Sequence, residues 1–169
     1  MAVAPEIPRP SLLWKGLSPE RKLQAAEAFW QDGNAAAEQA EAIVLIAQRI
    51  KFRPTSVYAL PREKKARHLV GLGAMSDIIA ARLLVAYHLR HQRPMMAAFL
   101  DALGVTHEDG LIADEQLQSP PADRLRDAAG TIAASYPPAD VTLYLSTLMW
   151  QDPDAWAGLA DVPQLSTPA

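Results

Sequence analysis

The chain has no cysteine. Disulfide scaffolds, thiol catalysis and thiolate metal sites are therefore excluded together, and the absence fits a reducing compartment. Long apolar runs are also missing. The longest, Ala42–Ala47 and Ile78–Tyr87, the second broken by Arg82, fall well short of the roughly 20 residues that span a bilayer. Residues 1–10 hold three prolines and lack the continuous apolar stretch of a secretory signal. A cytoplasmic protein without a membrane partner is the expectation. Strand signals are scarce, and there is no internal repeat or sustained heptad. A phosphate-cradling glycine loop, a G-x-S-x-G elbow and an H-E-x-x-H pair are all lacking, so the affirmative case for an enzyme is missing and no cofactor is expected.

What is present describes a globular protein. With 169 residues, half of them apolar and 21% charged, the chain is long enough to bury a core and far from the composition of a disordered one. Its bias towards alanine, arginine and proline is typical of high-GC bacterial genomes. The net charge of −3 argues against indiscriminate binding to nucleic acid. That total hides a steep sorting of charge. Residues 1–48 carry 4 Lys/Arg and 6 Asp/Glu; residues 49–93 carry 10 and 2; residues 94–169 carry 2 and 11. The middle segment is thus +8 and the last −9, an asymmetry that can mark a site for an oppositely charged partner.

Helix signals recur throughout. Ser18-Pro19-Glu20 offers a hydroxyl cap, a first-turn proline and an acid at the positive helix end, and Pro19, Leu23, Ala26 and Trp30 form its apolar stripe. Asn34 is placed to cap a second helix to about Phe52, with Ile43, Ile46, Ala47 and Ile50 inward. Pro54 breaks the chain, a turn around 56–60 follows, and further helices are predicted over about 61–70, 77–92, 94–103, 121–135 and 139–151, with a short turn at 154–159. In the helix over 77–92, Ile78, Val85 and Leu89 line one side and Ile79, Leu83, Ala86 and Tyr87 another, so other helices should surround it. The predicted fold is all-α: a compact single-domain bundle of about seven short helices around this central helix. The single domain is expected over 11–160, with flexible ends at 1–10 and 161–169.

The helix over 61–70 puts Ala66, Leu69 and Val70 together and Lys64, Lys65, Arg67 and His68 opposite them. Its solvent face is almost wholly cationic, and Arg49, Lys51 and Arg53 extend the patch if the turn at Pro54 folds back. Phosphates, acidic lipid headgroups or an acidic protein surface would suit such a face. Ordinary solvation of lysine and arginine, or neutralisation by the acidic last third, accounts for the same pattern. A helix–turn–helix reading fails because the second helix, Ile78–Tyr87, is core rather than base-reading.

His88 and His91, three apart on one helix, offer metal ligands that His107 could join. The alternative assigns them to the helix end, complementing its dipole. The loop Thr106-His107-Glu108-Asp109-Gly110 is the densest group with acid–base capacity, and it also reads as a capped turn in which Gly110 supplies a positive φ. Trp150 and Trp156 flank Asp152-Pro153-Asp154 and suit mutual packing or a docking anchor. Met95, Met96, Phe99 and Leu103 make their helix apolar on nearly every side, which suits a homodimer interface or simple burial.

Three readings stand. The leading one is a small non-catalytic helical binding or protein-interaction module, self-associating or with a protein partner, its contact formed by Lys64, Lys65, Arg67 and His68 with Arg49, Lys51 and Arg53. The second is a binder of nucleic acid or a phosphorylated ligand through the same face, less favoured because of the overall charge. The third is a metal-dependent enzyme using His88, His91 and the 107–109 loop.

Overall fold

The computed structural model describes residues 9–73, 75–112 and 119–165. Among them are nine α-helices: α1 Pro10–Lys15, α2 Pro19–Gln31, α3 Ala36–Ile50, α4 Pro54–Tyr58, α5 Arg62–Val70, α6 Asp77–His91, α7 Arg93–Leu103, α8 Ala122–Ala133 and α9 Pro138–Gln151. One short hairpin, β1 His107–Glu108 and β2 Leu111–Ile112, and a 3-10 turn, Ala157–Asp161, complete the elements of the described residues. The protein is essentially all-α. No helix among the described residues is long and apolar enough to cross a membrane.

The chain forms two units: residues 9–90, and a second that takes up the chain from His91. Their division coincides with the sorting of charge. Residues 9–90 hold 13 Lys/Arg and 7 Asp/Glu, a net of +6, and the rest of the sequence holds 3 and 12, a net of −9.

In the first unit, α5 lies along α2, and α3 packs against α4 and α5. Alanines make that approach close: Ala25, Ala26 and Ala28 of α2 and Ala66 of α5 are buried with Phe29 and Leu69. Ser18 caps α2 as its sequence predicts, its hydroxyl accepting from the Arg21 N–H at 3.2 Å. The apolar stripe of α2 is rotated from the predicted one, however. Pro19 is exposed and Trp30 only partly covered, whereas Phe29 is fully buried, because the alanine face sets which side meets α5. Asn34 is not the cap of α3 either. Its N–H donates to the Asp32 carboxylate at 2.9 Å, and Gln39 reaches back to the Phe29 and Asp32 carbonyls instead.

Two helices of this unit go beyond the sequence reading. Pro54 starts α4 rather than merely ending α3, since proline is pre-organised for a first helical position. Pro10 starts α1, and the Ser11 N–H donates to Asp77 Oδ1 at 3.1 Å across 66 residues of chain. Hydrogen bonds from Ser11 hold the Asp77 carboxyl below its usual pKa. Ser76 caps α6 through the Ile79 N–H. Along α6, Ile79, Ala80, Leu83, Leu84, Ala86, Tyr87 and His88 are buried, but Ile78 is 65% exposed and Val85 and Leu89 are only half-covered.

In the second unit, α7 packs on α8, and α8 meets both α9 and the 3-10 turn. Phe99 contacts Tyr144 edge-on and lies near Trp156. α9 is the most enclosed helix, with every residue from Leu143 to Met149 buried. Met95, Met96, Phe99, Leu100 and Leu103 are likewise buried, as the simple-burial reading of this helix has it. Trp156 is buried and Trp150 is partly exposed. Beyond Asp161, Val162 is buried and the Thr142 hydroxyl donates to the Gln164 carbonyl; residues 166–169 lie outside the described residues.

Candidate functional site

The seven basic side chains of the predicted cationic face lie in two places in the first unit: Arg49, Lys51 and Arg53 at and just beyond the end of α3, and Lys64, Lys65, Arg67 and His68 on α5. The turn at Pro54 does fold back, because α4 and α5 both pack on α3. Arg49 reaches the C-terminal end of α5, its guanidinium carbon 3.9 Å from where a Cβ on Gly71 would lie. Arg49, Lys51, Arg53, Lys64 and Arg67 are exposed; Lys65 and His68 are half-buried. Among the described residues, no carboxylate pairs with any of the seven.

Lys65 differs in kind from its neighbours. Its ammonium sits 5.1 Å from the centre of the Trp30 ring and 5.4 Å from that of Tyr58, and it donates to the Tyr58 carbonyl at 3.3 Å. Both rings attract a cation through their quadrupoles, and the carbonyl is among the open acceptors ending α4. Lys65 therefore ties α2, α4 and α5 together instead of displaying its charge. Trp30 is braced by Phe29, edge-on at 5.1 Å.

Two aromatic rings stand among the cations, and sequence reasoning missed both. Tyr58 is 70% exposed and Phe52 is 52% exposed. A chain this size has buried positions for its few aromatics, so rings left in water next to unpaired cations are informative. The signal available in the sequence was the tripeptide Lys51-Phe52-Arg53, an aromatic flanked by two cations beyond a helix end.

Lys51 adopts a left-handed backbone, φ 59°, and the Phe52 N–H returns to the Ala47 carbonyl at 3.0 Å. This is the Schellman way of closing a helix, normally built on glycine and accompanied by burial of the following side chain. Here a lysine takes the strained position and the following ring points to solvent. Both departures leave the side chain, the Lys51 ammonium and the Phe52 ring, exposed.

The remaining candidates assemble nothing comparable. His88 is buried, and desolvation lowers its pKa from 6.5 to about 3, so it is neutral. His91 is exposed at the end of α6. His107 has both ring nitrogens engaged: Nε2 faces the Asp101 carboxylate at 2.6 Å and Nδ1 accepts the Gly110 N–H at 3.1 Å. The ring proton must therefore sit on Nε2, and neither nitrogen is left for a metal or a substrate proton. Among the described residues, no group of three His, Asp or Glu is placed to hold a metal ion.

The 106–110 loop is the turn of a hairpin, with Asp109 and Gly110 both at positive φ, as a two-residue type I′ connection requires. Arg93 secures it by donating to the Asp109 carbonyl at 3.2 Å. The loop's polar groups thus serve its own geometry.

Compared with known proteins, the chain matches no family model, no curated protein and no solved structure. Its function must be argued from the face itself.

Proposed function

We propose that the protein is a non-catalytic binding module that holds an anionic macromolecule on the face formed by α3, α4 and α5. One observation carries this reading: the exposed cations Arg49, Lys51, Arg53, Lys64 and Arg67 have no carboxylate partner among the described residues, and two exposed rings stand among them. Solvated lysines on a helix need no aromatic company. A surface that combines unpaired positive charge with large rigid contact groups has the composition of a recognition face. Residues 9–90 themselves carry a net of +6.

The test is binding to polyphosphate, measured as a function of salt. Affinity should fall steeply as salt rises, and Lys64→Glu with Arg67→Glu should weaken it at least tenfold. Arg126→Glu, an exposed charge on α8, should change it little. Absence of salt-sensitive binding at about 50 mM salt, where few-contact electrostatic complexes are still strong, would remove the proposal.

A further inference from the structure

Resting on that reading of the face, we infer that its partner is a single-stranded nucleic acid, with phosphates held by the cations and bases stacked on Phe52 and Tyr58.

The arrangement of groups discriminates between anionic partners. A protein interface concentrates its apolar groups in a central patch, depletes lysine there and leaves charge to the rim. Along the chain the two rings are set singly among cations and polar residues, not in an apolar run. Phe52 stands between Lys51 and Arg53, and Tyr58 is followed, after three intervening residues, by α5 with Arg62, Glu63, Lys64 and Arg67, all exposed. The residues from Pro54 to Ser56 between the two rings are also exposed and contribute only small or polar side chains. Rings interleaved with cations suit a strand whose bases and phosphates alternate in the same way.

The state of the strand follows from the rings. A base inside a duplex has both faces covered by its neighbours, so an exposed ring gains a stacking partner only from an unpaired base. The helix that would enter a major groove in a helix–turn–helix arrangement, α6, has Ile79, Ala80, Leu83, Leu84, Ala86, Tyr87 and His88 buried and is not available to read base edges. Binding is therefore directed to single strands, with little dependence on sequence.

The helix end supplies a second, independent argument. α7 closes with Gly104 at φ 72° and the Val105 N–H bonded to the Leu100 carbonyl, which is the relaxed form of the closure used at Lys51. Retaining lysine in the left-handed position of α3 costs stability that glycine would not, and what it yields is a charge on the turn next to an outward ring. Lys65 contributes by fixing Tyr58. Its ammonium and its bond to the Tyr58 carbonyl hold α4 against α5, so the ring is presented by a braced element and not by a loose loop.

The experiment compares four probes by fluorescence anisotropy at low salt: oligothymidylate, an abasic strand of equal length, polyphosphate and poly-glutamate. Oligothymidylate should bind at least tenfold more tightly than the other three. Phe52→Ala and Tyr58→Ala should each lose about tenfold on oligothymidylate, in line with about 1–3 kcal/mol per stacked base, and leave polyphosphate binding unchanged. Both side chains are exposed, so circular dichroism should report an intact fold. Equal affinity for the thymidylate and abasic strands would overturn the stacking inference while leaving the cationic face standing. Tighter binding of poly-glutamate would overturn it in favour of a protein partner. If no probe binds, the inference and the reading beneath it fall together.

Discussion

Lys51 and Gly104 occupy the same place at the ends of two helices, each one residue past the last turn and each with a left-handed backbone, φ 59° and 72°. Only the glycine is at ease there, because a Cβ crowds the following carbonyl at a cost of roughly 1–2 kcal/mol. Lys51→Gly should consequently stabilise the protein by up to about 1 kcal/mol, some of the gain being offset by the greater freedom of an unfolded glycine. Urea denaturation of the two proteins checks this. The same variant should bind anions less well, so stability and affinity move in opposite directions.

Lys65 ties three elements through one side chain, and its contribution is measurable by a double-mutant cycle. Lys65→Met and Trp30→Leu should each destabilise the protein, and the double variant should lose less than their sum by about 0.5–1 kcal/mol, the value of a partly exposed cation–π contact. A coupling of zero would show that the ring and the ammonium are neighbours without being partners.

His88 makes the protein sensitive to mild acid. Burial lowers its pKa from 6.5 to about 3, so between these values the unfolded chain binds a proton that the folded chain refuses. Its contribution to stability is complete above about pH 6.5 and declines as pH falls towards 3, by at most ~1.4 kcal/mol per pH unit. Wild-type stability should fall between pH 6.5 and 5, before most carboxylates titrate, and His88→Leu should flatten that fall. The other three histidines are common to both proteins and cancel in the comparison.

Gly110 is required twice over. Its φ of 88° disfavours any side chain, and an added Cβ would lie 2.9 Å from the Met96 Cβ. Gly110→Ala should lower stability by about 2–4 kcal/mol, combining backbone strain with overpacking. Because the hairpin lies against α7, the loss should appear as a lower unfolding midpoint and not as local fraying.

The helices were legible in the sequence where caps and breakers agreed: Ser18, Ser76, Gly71 and Gly104 bound helices where local chemistry says they should. Failures came from long-range causes. α1 is held by Asp77, 66 residues away, which no local pattern reports. The rotation of α2 is decided by alanines that pack closely against α5, although a periodic reading gives Trp30 more weight than Ala25 or Ala28. The Asp109-Gly110 pair did announce a two-residue hairpin, but flanking strands of two residues are too short to show alternation.

The candidate face was half visible. Its cations were readable from a helical wheel, because charge and burial rarely coincide. Its rings were not, since an aromatic is expected inside and only the folded surroundings of Phe52 and Tyr58 reveal them outside. Conversely, the pairing of His107 with Asp101 has no sequence signature. It turns a residue that looked reactive into one whose two nitrogens are both occupied.

The enclosure of α9 has a consequence in time. Every side chain from Leu143 to Met149 is shielded, and the Thr147 hydroxyl donates to the Leu143 carbonyl at 2.7 Å, so no face of this stretch can be wetted by a small local movement. Its amide protons can meet solvent only when the unit around it comes apart. In deuterated buffer they should be the last to fade, and their decay would clock the whole-unit opening.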